Sequence, residues 1–513
     1  MCPPAAFKGA VCGHVGVPLD RTDPSAGTIA IAYELYTHTD PGPAESAILV
    51  NFGGPGETTT GDRGDAFYLF GANLDKHDLL LIDDRGRGRS GAIDCRKMQG
   101  AAGTIAEQTA QCAAILGSAS SRYGTGDVAM DTEAVRAALG YQLIDYYGGS
   151  YGGADVAGYA TRFPDHLRSI ILDSPWGNTI NTHEFVDGRL LVSSTEKTIS
   201  MLCRRSPSCA SARPDPVGDF ARLVRLVRQH PVAGVGYTAD GTPVKVRVTP
   251  SFVVNYLMLT QFTDAGEIAA ASVALRHGDR VPLLRIAAES YYPICCLEKP
   301  SPYPPKLFSL GDSYAAFCVD NQWEWDWSAT IRDRVAQHAA ALATVPSGYF
   351  GPFTGLEISD STYVGTPYCI RWPSPQNVPP MAAVDAPYPN VPTLVLAGDL
   401  DNHVPFSQSK LVADLFPGSQ LIKVKGSGHL VVFWSGCAAT LASTLVETLK
   451  IPQTNCGRRP EQIWPAAGTF PLRSAAAPPA TPDPSGSNEA GLKERRVTAA
   501  AVMAVKDALE RGQ

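Results

Sequence analysis

The sequence predicts an α/β protein whose mostly parallel central sheet is interrupted by one large, mainly helical insertion. Three observations carry this. Short apolar runs alternate with helical patterns over residues 47–172, with short connections, as parallel βαβ units require. One junction, residues 143–153 (LIDYYGGSYGG), passes from an apolar run through a glycine pair to a serine and on into a helical pattern. The rhythm stops near Trp176 and returns only at Val391.

Each element has its own justification. Residues 11–22 (VCGHVGVPLDRT) read as a strand and a turn. Residues 28–36 (TIAIAYELY) alternate over part of their length, the pattern of a half-exposed strand. Together they form an antiparallel start to the sheet. Residues 47–52 (AILVNF) and 77–83 (HDLLLID) are almost continuously apolar, as expected of strands buried on both faces. A helical excursion is expected from Cys95 to Arg122. Residues 127–140 read as an amphipathic helix, with Val128, Thr132, Val135 and Leu139 on one face and Gly140 as its stop. Strand 143–147 then leads into Ser150, a helix follows through Ala154, Val156, Tyr159 and Ala160, and 167–172 is the next strand.

Residues 1–175 are thus the first part of the core, and 176–390 are expected to form a lid. Helical patterns run over 190–202, 217–228, 252–275 and 281–290, and Trp323, Trp325, Trp327 and Trp372 fall in the same region. The core resumes over 391–473, with strands at 391–397 and 419–424 and helices at 407–416 and 438–449. Residues 474–513 open with a Pro- and Ala-rich run, expected to be a flexible linker, and close with a helical stretch.

The chemistry gathers at the ends of these strands. Gly148, Ser150 and Gly152 form a GxSxG turn between strand and helix. Side chains at the two glycines would collide as the helix packs back, and the helix N-terminus favours negative charge developing at the serine. Residues 53–56 (GGPG) follow another buried strand. Pro55 has no N–H, so Gly54 is the expected oxyanion donor there, with the Tyr151 N–H as the second. The returning strands carry GDLDNHVP at 398–405 and GSGH at 426–429. Ser150, Asp401 and His429 therefore stand in the order nucleophile, acid, base, at one edge of a parallel sheet. Asp399 is the rival acid and His403 the weaker rival base. The arginines of 83–91 (DDRGRGRSG) suit loop fixing through Arg85 better than substrate binding.

Composition narrows the partners. The net charge of -7, with no basic run, argues against nucleic acid, and no apolar run is long enough to span a bilayer. No metal, nucleotide or flavin motif is present, so no cofactor is expected. The 12 cysteines form no CxxC knuckle. Their even count suits disulfides and a secreted protein, with Cys2 near Cys12, Cys95 near Cys112, Cys203 near Cys209, Cys437 near Cys456, and Cys318 with Cys369 as a longer staple. Cys295 and Cys296 stay unassigned. The opening residues form no signal peptide, so an export signal is expected upstream of this start, the alternative being a chain that stays inside the cell.

GGPG, DDRGRGRSG, GGSYGG, GDLD and GSGH, in that order, resemble the proline iminopeptidase and tripeptidyl aminopeptidase branch of the α/β-hydrolases. The likeness covers most of residues 10–460, and the AAFCVD, YCIRWP and Cys437–Cys456 stretches are similar to its secreted actinomycete members. The family's acid corresponds to the last residue of GDLD, which favours Asp401. Phe52 stands where the family's usual histidine precedes GGPG. The resemblance implies a serine exopeptidase acting on peptides with a free N-terminus through an acyl-enzyme. Such an enzyme needs acidic groups to hold the substrate ammonium; the candidates are Asp320 and Glu324, with Asp326 beside them in the Trp-rich stretch. An esterase or amidase acting on a small acyl compound is the alternative, and a non-catalytic binding protein the third reading.

Overall fold

The computed structural model describes residues 2–469 apart from 96–103, 178–183, 239–240, 260–261, 295–303, 362–366, 453–454, 462 and 465. The expected terminal linker and helix, and Cys295 and Cys296, lie outside the described residues.

An eight-stranded sheet runs in the order β1-β2-β4-β3-β5-β6-β9-β10. β1 (Val11–Pro18) and β2 (Thr28–Tyr36) pair antiparallel, and β2 pairs antiparallel with β4 (Asp78–Ile82). From β4 through β3 (Ala47–Asn51), β5 (Ile144–Gly149), β6 (Leu167–Asp173), β9 (Thr393–Gly398) and β10 (Gln420–Val424), every neighbour is parallel. The apolar runs are the reason: β3, β4, β5 and β9 are buried at every residue, so each needs cover on both faces.

Helices supply that cover. One face meets α1 (Arg63–Phe70) and the closing helix α15 (Gly436–Thr448), where Phe67, Phe70, Leu441 and Leu445 pack on Ile48, Leu79 and Tyr147. Beyond α2 (Ile105–Leu116), the other face meets α3 (Thr125–Leu139), α4 (Gly152–Arg162) and α14 (Phe406–Leu415), with Val135, Val156, Tyr159 and Val412 against Leu49, Tyr146 and Val395.

Between β6 and β9 the chain builds a second core. It holds α5 (Glu184–Arg205), α6 (Pro207–Ala212), α7 (Pro216–Gln229), α8 (Pro250–Leu259), α9 (Phe262–Arg276), α10 (Val281–Ile294), α12 (Ile331–Thr344) and α13 (Gly355–Ser359), while α11 (Leu310–Asp320) packs in a separate cluster with Cys112, Tyr123, Trp323 and Trp325. Two points differ from the sequence reading. The expected single helix over 252–275 is two, α8 and α9. A hairpin, β7 (Val232–Tyr237) with β8 (Pro243–Val248), stands between the expected helices, where no strand was named. Its signal is present: Val244, Val246 and Val248 alternate with Lys245 and Arg247, the period of a half-exposed strand.

Among the described residues five disulfides join Cys2–Cys12, Cys95–Cys112, Cys203–Cys209, Cys318–Cys369 and Cys437–Cys456; four link the cysteines that lie close in sequence, and the fifth is the longer staple. Among the described residues no helix is long and apolar enough to cross a membrane.

Candidate active site

Four loops at the carboxyl edge of the parallel strands converge. Ser150 follows β5 directly and takes φ = 52°, a backbone state that L-residues adopt only when their surroundings enforce it. The enforcement is visible. The Ser150 N–H donates to Asp173 O at 2.9 Å, and the Trp176 N–H donates to Ser150 O at 2.8 Å. The flanking glycines are close-approach residues: a Cβ on Gly148 would lie 2.6 Å from Gly152 O and from Val156 Cγ2, and one on Gly152 would lie 2.4 Å from Asn51 O. The second contact refines the sequence reading, because Gly152 makes room for β3 rather than for its own strand.

His429 follows β10, and its Nε2 lies 2.8 Å from Ser150 Oγ. Its Nδ1 lies 3.0 Å from Asp401 Oδ2. The imidazole is 11% exposed and the Asp401 carboxylate fully buried. Asp401 Oδ1 accepts the N–H groups of His403 and Val404, at 2.9 and 2.8 Å, which fixes the carboxylate plane. Burial opposes ionisation of Asp401, but His429, through its charge and its hydrogen bond, holds the pKa below the ordinary aspartate value. The same burial opposes the charged imidazole, and Asp401, assisted by Asp173 and Glu57, holds His429 above the ordinary histidine value. A hydrogen-bonded chain of this kind can withdraw a proton from the serine and stabilise the resulting imidazolium.

The rivals are otherwise engaged. Asp399 pairs with Arg205 at 2.6 Å and accepts the Gly426 N–H at 2.8 Å, so it ties α5 to the histidine loop. The His403 ring lies beside that of His429, with centroids 5.1 Å apart. The second core also grips the acid loop: Ser194 Oγ donates to Asn402 O at 3.0 Å, and Asn402 Nδ2 donates to Leu257 O at 2.9 Å.

The GGPG loop lies against the serine turn. A Cβ on Gly53 would stand 2.8 Å from the Tyr151 N and 2.6 Å from the Gly152 N, so the two loops touch through backbone alone. The Gly53 N–H is committed to Asn51 Oδ1 at 2.9 Å, and the next amide along the loop is that of Gly54, at φ = 105°. Phe52, at the position of the family histidine, is buried against Tyr147 and Phe433.

Of the expected ammonium-binding carboxylates, Asp320 ends α11 directly behind the serine turn. It accepts the Tyr151 hydroxyl at 2.7 Å and the Thr125 N–H at 2.8 Å. Burial, against those hydrogen bonds, pushes its pKa up to about 6. The Glu324 side chain is 2% exposed and faces His338 Nδ1 at 3.2 Å. Asp326 is exposed and caps its own turn through the Ser328 N–H at 2.8 Å.

Two groups were missed in the sequence. Asp173, at the end of β6, accepts the Val431 and Val432 N–H groups at 2.8 and 3.1 Å and the Tyr147 hydroxyl at 3.1 Å, holding the chain just past His429. A carboxylate at the carboxyl end of a buried strand, on the same edge as Asp401, was its signal. Beneath the turn, Arg87 bonds Asp84 and Asp312 at 2.7 Å each, and Asn51 Nδ2 donates to Asp84 and Asp155 at 3.1 Å each. Arg85, fully buried, makes a forked pair with Asp131 at 2.6 and 2.8 Å and caps Arg122 O, the loop-fixing role expected of it.

A family model described as alpha/beta hydrolase fold matches residues 47–193, and one described as TAP-like protein matches residues 356–456. The tripeptidyl aminopeptidase of Streptomyces coelicolor is 23% identical over 448 residues, 81% of this chain and 76% of the relative. The serine protease Hip1 of Mycobacterium tuberculosis is 26% identical over 458 residues, 83% of this chain and 82% of the relative. Among solved structures, the proline iminopeptidase of Mycobacterium smegmatis is similar over 85% of this chain and 98% of its own, at 15% identity and a TM-score of 0.35. The two family matches and the two long relatives, found for a chain with this sheet, make it a serine hydrolase of the α/β-hydrolase fold, similar over most of its length to tripeptidyl aminopeptidases.

Proposed function

We propose that the chain is a serine aminopeptidase, an exopeptidase that hydrolyses peptide bonds near a free N-terminus, with Ser150 as nucleophile. The observation that carries the reading is the chain from Ser150 Oγ through His429 to Asp401, at 2.8 and 3.0 Å, at the carboxyl edge of the sheet. His429 Nε2 takes the hydroxyl proton as Oγ attacks the scissile carbonyl carbon. The carbonyl oxygen becomes an oxyanion beside the Gly54 and Tyr151 N–H groups. His429, held by Asp401, gives its proton to the leaving amine, and the acyl-enzyme remains on Ser150. A water, deprotonated by the same imidazole, then attacks the acyl carbon, and the imidazolium returns that proton to Ser150 Oγ as the acyl group leaves.

The segment 176–390 serves in this reading as a lid over the site. Its grip on the acid loop through Ser194, Asn402 and Arg205 supports that. Five disulfides support an oxidising compartment outside the cytoplasm.

The test is a fluorogenic panel on wild type and Ser150→Ala. It holds free-amine Pro, Ala and Leu amides, Ala-Ala-Pro amide, their N-blocked twins and a short-chain ester. Ser150-dependent turnover confined to free-amine substrates is expected, and the ratio of tripeptide to single-residue turnover gives the length released. Turnover of only the ester and blocked substrates would replace the reading with an esterase or amidase.

A further inference from the structure

Glu57 is a carboxylate with an unusual address. It follows GGPG, three residues beyond Gly54. Its backbone is clamped by a β-bridge to Phe308, and the Ser309 N–H donates to Gly56 O at 2.9 Å, so the residue is fixed between the GGPG loop and the approach to α11. A side chain at Gly56 would lie 2.6 Å from Ser309 O, which leaves that clamp no slack. The Glu57 side chain folds back over Gly54, its Cγ 3.4 Å from where a Gly54 Cβ would be. Its charge also reaches His429 and favours the imidazolium.

Among the described residues the Glu57 carboxylate makes no hydrogen bond or ion pair. Arg87 acts on it only through its field and is itself bonded to Asp84 and Asp312. Arg63 is committed to Glu34. Asp62 and Asp65 add negative potential, and burial with that potential pushes Asp62 up to about 8. Burial likewise lifts the Glu57 carboxyl above its ordinary value. Yet Glu57 is partly exposed, so a substrate group can reach it.

A lone carboxylate beside Gly54 opposes the reaction, because the scissile oxygen gains negative charge there as the serine attacks. A substrate ammonium removes that opposition, and a blocked or neutral substrate leaves it in place. We infer that Glu57 receives the α-ammonium of the substrate and is the residue that makes this site selective for a free N-terminus; this rests on the aminopeptidase reading. The selectivity is built from attraction for the right substrate and repulsion against the wrong one.

The experiment measures kcat/KM for a free-amine amide and for its N-acetylated twin, on wild type and Glu57→Gln, with labelling of Ser150 by a neutral fluorophosphonate as the check on folding. The expected result is a fall of at least tenfold in the free-to-blocked ratio, chiefly through a higher KM for the free amine. An unchanged ratio in a variant that still labels overturns the inference and leaves the aminopeptidase reading standing. Should Glu57→Gln fail to label, Glu57→Asp decides: a ratio lowered at least threefold supports the inference, and an unchanged ratio overturns it. A wild type with no preference for free amines overturns both.

Discussion

The Tyr151 hydroxyl donates a 2.7 Å hydrogen bond to the carboxylate of Asp320. Tyr151 follows the serine, and its backbone N–H is one of the two proposed oxyanion donors. Asp320 ends α11, and Phe317 of the same helix packs edge-on against the Tyr151 ring at 5.5 Å. The serine turn is thereby tied to the helical segment rather than to the sheet alone.

Tyr151→Phe keeps the backbone N–H and the ring and removes only the tie. Loss of one hydrogen bond to a buried carboxyl costs about 1–3 kcal/mol of stability. It lets the turn relax, so kcat falls by up to roughly tenfold while KM holds. Asp320→Asn keeps an acceptor for the hydroxyl, so its effect is smaller. Steady-state kinetics with urea unfolding on both variants check this, and an Asp320→Asn more damaging than Tyr151→Phe contradicts it.

Arg87 is the counter-charge for a group of buried acids. Burial pushes Asp84 and Asp155 up to about 7 and Asp312 up to about 6, all above their unfolded values, with Arg87 working against the shift. The folded state therefore holds protons that the unfolded chain has released, and stability falls as pH rises from about 4 to 7. Arg87→Met removes the compensation. The expected loss is about 3–5 kcal/mol at pH 8, where the acids must ionise, and less at pH 5, where they keep their protons. Urea unfolding at the two pH values reads the difference, and a larger loss at pH 5 would be the wrong sign.

The sheet was legible in the sequence because burial on both faces leaves continuous apolar runs, and the serine turn because its glycines have no substitute. Asp401 over Asp399 rested on the resemblance. The physical reason emerges only with Arg205, which reaches Asp399 from a helix almost 200 residues away in the chain. Asp320 was legible as an acid in the right segment but not as the partner of Tyr151, since no local pattern records which side chain meets which across an insertion. Glu57 carried no signal at all. Its meaning depends on Phe308 and Ser309 closing over the GGPG loop.

Cys318–Cys369 spans 51 residues and joins α11 to the turn beneath the tryptophan cluster, whereas Cys203–Cys209 spans 6. On chain entropy alone the first is worth about 4 kcal/mol and the second about 2 kcal/mol. Cys318→Ala with Cys369→Ala should lower Tm more than Cys203→Ala with Cys209→Ala. The longer staple also holds the helix that ends in Asp320, so its loss should reduce kcat as well. Scanning calorimetry and kinetics on the two double variants test both halves, and equal losses of kcat would contradict the link between α11 and the serine turn.

The two aspartates of the acid loop should separate cleanly by pH. His429 must be neutral to accept the serine proton, and Asp401 holds its pKa above the ordinary histidine value, so the acid limb of kcat/KM lies above about 6.5. The same shift contributes stability that is fully present below the unfolded histidine pKa and is lost as pH rises through the folded one. Asp401→Asn removes the largest counter-charge and leaves burial opposed only by the weaker fields of Asp173 and Glu57. The limb then moves to lower pH, and the plateau of kcat falls by about 10³–10⁴, because the imidazole loses both its tautomer and its stabilised charge. Asp399→Asn breaks the tie to Arg205 and weakens the one to Gly426, which touch neither the imidazole nor the serine. It should lower stability by about 1–2 kcal/mol, leave the limb in place and hold the plateau within a few-fold. A limb that moves in Asp399→Asn and stays in Asp401→Asn would exchange the two roles.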